Sequence, residues 1–82
     1  MALRVLAFAR LRELLGFGER SLDVGPAATL EDVWTALTAA SPEAGLMRAS
    51  TRFARNGALV DDGSTPLSEG DEVALMPPVG GG

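Results

Sequence analysis

The sequence predicts an α+β domain in which one mixed sheet packs on one main helix. Three observations point there. Segments with two-residue apolar alternation lie near both ends of the chain, one long segment with helical spacing lies between them, and turn signals separate the rest. At 82 residues the chain is one domain, and a chain of this size buries only about 60% of the surface its unfolded form exposes.

Residues 3–9, LRVLAFA, alternate: Leu3, Val5, Ala7 and Ala9 face one way, Arg4, Leu6 and Phe8 the other. This reads as a first strand. Residues 10–16 place Leu11, Leu14 and Leu15 at helical spacing and stop on Gly16, giving one or two helical turns. Residues 19–25 alternate again through Leu22 and Val24, so a second strand is expected antiparallel to the first. The main helix follows, from Thr29 to about Ala40. Thr29 can cap its first N–H groups, and Glu31 and Asp32 suit the positive end of its dipole. Leu30, Val33, Trp34 and Leu37 form its buried stripe, and Pro42 biases Ser41 away from helical angles.

Residues 43–50 read as loop with at most a short turn. Residues 52–57 give a third strand ending in the Asn56-Gly57 turn, and residues from 58 onward a short fourth strand and a loop. A turn at Glu69-Gly70 precedes the last strand, with Val73 and Leu75 inward and Ala74 and Met76 outward. This order suits a β-grasp arrangement with the first and last strands parallel at the centre of the sheet. The domain is expected to span residues 1–76, followed by an extended tail over residues 77–82.

The composition excludes more than it suggests. There is no Cys, His, Lys or Tyr. Thiol nucleophiles, imidazole bases, Schiff-base lysines and zinc or haem sites of the usual ligand types are therefore ruled out, and no metal is expected. A net charge of −4 argues against a nucleic-acid partner. No apolar run approaches the roughly 18 residues of a membrane span, and no signal peptide is evident, so a cytoplasmic location is expected.

The chain closes on Pro77, Pro78, Val79, Gly80, Gly81 and Gly82. Proline lacks the N–H a sheet needs and fixes φ, so the pair ends strand pairing and sends the chain out extended. Glycines without Cβ can pass a narrow channel. Residues 79–82 can reach on the order of 13 Å.

FARLRELLG near the start, NGALV in the middle and LSEGDEVALMPPVGGG at the end resemble the MoaD family, the small subunit of molybdopterin synthase, a group of ubiquitin-like sulfur carriers. The resemblance spans nearly the whole chain; a third glycine, Gly80, stands at the variable position before the diglycine. It implies that the Gly82 carboxylate is adenylated by an ATP-using, MoeB-like activating enzyme and converted to a thiocarboxylate. The sulfur then passes to a pterin precursor held by a larger, MoaE-like subunit that carries the catalytic site. No cofactor is expected on the chain itself, and residues 77–82 would be the part the partners read.

Phe8, Leu59 and Met76 correspond to positions that meet the large subunit in the family. The competing reading makes the outward apolar residues a small second core. Trp34 is expected in the main core, and Glu69, Asp71 and Glu72 in a solvated turn. Related carriers that serve tRNA thiolation or modify protein lysines keep the same chemistry. Thiamine carriers rank lower because they are typically shorter and lack the proline pair. A non-covalent binding module, for which the tail would be irrelevant, is the remaining alternative.

Overall fold

The computed structural model describes residues 1–78. Its elements are β1 (Ala2–Ala7), α1 (Ala9–Leu15), β2 (Glu19–Asp23), α2 (Leu30–Thr38), α3 (Pro42–Gly45), β3 (Arg52–Arg55), β4 (Ala58–Val60) and β5 (Glu72–Met76), with a 3-10 turn over Arg48–Ser50 before β3. The five strands form one sheet in the order β2-β1-β5-β3-β4. β1 and β5 run parallel side by side, Val5 opposite Val73 and Ala7 opposite Leu75. Every other pairing is antiparallel. This is the β-grasp topology the element order predicted.

The alternation of the strands decides the core. Leu3, Val5, Val73 and Leu75 face α2, which returns Leu30, Val33, Trp34 and Leu37. Leu11 from α1, Ala44 from α3, Phe53 and Leu67 complete the cluster. Trp34 is 5% exposed and meets Phe53 with ring centroids 6.1 Å apart and planes tilted by 51°, a favourable aromatic geometry.

α2 starts on a reciprocal capping box. Thr29 Oγ1 accepts from the Asp32 N–H at 3.2 Å, and Asp32 Oδ2 accepts from the Thr29 N–H at 2.9 Å, so two otherwise orphan donors are satisfied. The helix ends at Thr38, two residues short of the expected Ala40. The Thr38 hydroxyl donates to the Trp34 carbonyl at 2.8 Å. Pro42, expected only as a stop, occupies the first turn of α3, where its missing N–H costs nothing. The Ser41 side chain caps that turn by accepting from the Ala44 N–H, and Ala44 is fully buried. The segment read as loop is thus partly helical because one small residue there completes the core.

β1 ends at Ala7, earlier than the alternation predicted. The Phe8 N–H still donates to the Leu75 carbonyl at 3.3 Å, but the Phe8 carbonyl accepts from Leu11 and Arg12 and so opens α1. Ala9 does not join the inward face; it is exposed, with φ +50°. Gly16, with φ +83°, closes α1 in the left-handed conformation, its N–H donating to the Arg12 carbonyl at 3.0 Å.

The acidic turn before β5 also differs from expectation. Asp71 is not solvated but 7% exposed. Its carboxylate accepts from Arg55 Nε at 2.7 Å, Asn56 Nδ2 at 2.9 Å and the Ser68 N–H at 2.8 Å. Asn56 Oδ1 in turn accepts from the Glu72 N–H at 2.9 Å. This knot ties the β3–β4 turn to the start of β5.

Candidate functional site

β5 lies between β1 and β3, so whatever follows it leaves from the middle of the sheet. Pro77 and Pro78 follow β5 directly, outside any regular element. Here the chain borders a groove of about 360 Å³ lined by Phe8, Ala9, Arg52, Leu59, Met76, Pro77 and Pro78. Five of the residues expected to matter, Phe8, Leu59, Met76, Pro77 and Pro78, are therefore brought together, although they come from three separate stretches of sequence. Val79, Gly80, Gly81 and Gly82 lie outside the described residues.

Each wall of the groove has a local cause. Phe8 reaches it because β1 stops at Ala7 and Phe8 turns the chain into α1, leaving the ring 46% exposed. Leu59 projects from the short edge strand β4 and is 58% exposed. Met76 is the last residue of β5 and sits opposite Arg52 in the β3 pairing, which sets the guanidinium-bearing side chain beside it. Met76 and Pro77 are half-buried, and Pro78 is exposed. Of the other outward apolar residues, Leu6 and Ala74 are half-buried as Met76 is, while Phe8 and Leu59 stay open. Arg52 and Ala9 were not among the expected site residues. The signal for Arg52 was present: in RFAR the inward Phe53 puts Arg52 on the outer face with Met76.

Two polar clusters lie outside the groove lining, one just before β5 and one between α2 and the 3-10 turn that leads into β3. The Asp71 knot fixes the start of β5, and Asn56 holds the Asp71 carboxyl below the usual carboxylate range, with Ser68 and Arg55 acting in the same direction. At the start of β3, Arg48 Nε donates to both Glu31 oxygens, at 2.8 and 3.0 Å. The Arg48 guanidinium lies 4.4 Å from the centre of the Phe53 ring, a cation–π contact. The hydrogen bond from Arg48 lowers the Glu31 pKa.

Among the described residues no cluster of three His, Cys, Asp or Glu side chains could hold a metal ion. No helix there is long and apolar enough to cross a membrane. Among the described residues the groove is lined by apolar surface and one guanidinium, that of Arg52. Such a surface can bury apolar area against another molecule.

A five-stranded β-grasp domain whose central strand ends beside an apolar groove places the chain in the ubiquitin-like class of folds. The chain belongs to the ThiS family, whose family model matches residues 5–82. It is 36% identical, over the full length of both chains, to a molybdopterin synthase sulfur carrier subunit from Chlamydomonas reinhardtii. Among solved structures it is similar to a candidate molybdopterin converting factor, subunit 1, from Pyrococcus furiosus, with TM-score 0.83 and 25% identity over 96% of this chain and 99% of the other. It is also similar to small archaeal modifier protein 1 from Haloferax volcanii, with TM-score 0.78 and 30% identity over 95% of this chain and 98% of that one.

Proposed function

We propose that this chain is the sulfur carrier subunit of a molybdopterin synthase, acting in the cytoplasm, with the Gly82 α-carboxylate as its reactive group. The observation that carries the reading is the delivery of Pro77 and Pro78 from the central strand β5 to the lip of the groove formed by Phe8, Leu59 and Met76. The full-length likeness to a sulfur carrier subunit supports it.

A carboxylate is a poor electrophile, because its charge repels nucleophiles and oxide is a bad leaving group. An activating enzyme joins the Gly82 carboxylate to the AMP part of ATP and releases pyrophosphate. Hydrosulfide supplied by a sulfur donor then attacks the acyl carbon, AMP leaves with the oxygen, and loss of the S–H proton gives the thiocarboxylate. The ATP belongs to the activating enzyme. Phe8, Leu59 and Met76 dock on the large subunit, which holds the pterin precursor, while Val79, Gly80, Gly81 and Gly82 enter its active site and deliver the sulfur.

The likeness to an archaeal modifier protein favours a second use of the same activated end. A lysine amine of another protein would attack the acyl group and expel AMP, giving an amide.

Incubation with ATP, the activating enzyme and a sulfur donor tests the reading. The intact protein is expected to gain the mass difference between sulfur and oxygen, localised to the C-terminal peptide. One residue added after Gly82, or deletion of Gly82, should abolish the gain without changing the fold. Thiolation of the extended chain at the normal rate, with dithiolene formation intact, would overturn the proposal.

A further inference from the structure

We propose that Arg52 makes the groove selective for an acidic partner, pairing with an aspartate or glutamate carboxylate that the large subunit presents among apolar side chains. This rests on the docking reading above and adds the chemistry the partner must supply.

The seven arginines are the only cationic side chains of the chain. Arg4 pairs with Glu19, Arg10 with Glu13 and Glu43, Arg48 with Glu31 and Arg55 with Asp71. Of the other three, Arg12 packs its guanidinium along Gly18 and Arg20 lies 5.6 Å from the centre of the Phe17 ring. Arg52 is exposed and has no ion-pair or hydrogen-bond partner among the described residues, even though it lines a second, small hollow together with Asp61. Its place is the wall of the apolar groove, beside Met76.

Docking would strip water from this guanidinium. Removing a charge from water costs several kcal/mol unless an opposite charge meets it, so an apolar surface with no anion at this point is rejected while one bearing a carboxylate is accepted. A guanidinium is well matched to such a contact, because it is weakly hydrated and its planar fork fits a carboxylate. The rest of the chain works against such a partner. With a net charge of −4 the protein repels acidic surfaces at long range, so the attraction must be local, and Arg52 is the cation in the groove.

The test is the affinity of the full-length chain for the large subunit from the same source, measured by isothermal titration calorimetry. Arg52→Glu and Arg20→Glu produce chains of the same net charge, which separates a local pair from a global field. Arg20 is on β2, at the edge of the sheet opposite β4. Arg52→Glu should raise Kd about 30-fold or more, Arg52→Met about 10-fold, and Arg20→Glu no more than about twofold. Arg52→Lys should fall between wild type and Arg52→Met. If Arg52→Glu does not fold, Arg52→Met carries the test, since it keeps the apolar stem.

Wild-type affinity for Arg52→Met, or equal weakening by Arg20→Glu and Arg52→Glu, overturns the proposal. If Leu59→Ser weakens binding in that case, the docking reading stands and only the acidic anchor fails. If the wild-type chain does not bind the large subunit at all, the docking reading fails and the anchor with it.

Discussion

Leu59→Ser measures the groove directly, because Leu59 is the more exposed of its two large open hydrophobic side chains, Phe8 being the other. Fully burying a leucine is worth about 1.5–3 kcal/mol. Leu59 is 58% exposed in the free chain, so a partner can hide only that share, about 0.9–1.7 kcal/mol by the same area scale. That corresponds to a rise in Kd of about 4- to 17-fold. The share already buried by folding is smaller, so stability should fall by only about 0.6–1.3 kcal/mol, or about 3–10 °C in Tm for a domain of this size. A core truncation such as Leu75→Ala should cost about 2–5 kcal/mol instead. Leu46 provides the control: it is 85% exposed and follows α3, away from the groove. Calorimetric titration of each variant into the large subunit, alongside thermal unfolding, gives both quantities. Leu46→Ser should bind as wild type does. Unchanged affinity for Leu59→Ser, or an equal loss for Leu46→Ser, would refute the reasoning that this groove is the docking surface.

Acid stability should depend on Asp71. Its folded pKa lies below the unfolded value of about 4, so its contribution is complete above that pH and is lost as pH falls through the folded value. Asp71→Asn should therefore flatten the acid limb of a urea-unfolding pH series and cost about 2 kcal/mol at neutral pH, where three donors lose a charged acceptor; a parallel acid limb would show that other carboxylates set it. Gly63→Ala should act through Glu31, since a Cβ at residue 63 would lie 2.9 Å from Glu31 Cδ and Cγ and push the carboxylate off Arg48. The pair is partly exposed, so the cost is about 1 kcal/mol or less, and it should not add to that of Arg48→Ala in a double-mutant cycle. Ala27→Gly should raise Tm by a few degrees, because Ala27 sits at φ +65°, where a Cβ costs roughly 1 kcal/mol; a lower Tm would show that the methyl group is worth more than the strain.

The sequence determined the parts whose cause is local. Strand alternation set the faces of Val5, Val73 and Leu75, and spacing set the α2 stripe of Leu30, Val33, Trp34 and Leu37. The Asn56-Gly57 turn followed from residues that tolerate positive φ, here +50° and +86°. The proline pair marked the end of β5 because proline has no N–H to give to a ladder. The absence of Cys, His and Lys removed most side-chain chemistry before any fold was considered.

What the tertiary structure decided was whatever depends on residues far apart in the chain. Asp71 looked like one acid in a polar turn, and only the approach of Arg55 and Asn56 from β3 and its turn made it a buried knot. Ala44 became core because α3 packs back on the helices, which no propensity of residues 43–50 announces. Arg52, Leu59 and Phe8 share a groove because the order β1-β5-β3-β4 sets three distant stretches around the end of β5. A pattern along the chain fixes which way a side chain points, but what it meets there is fixed by strand order and register, and those arise only when the whole core closes at once.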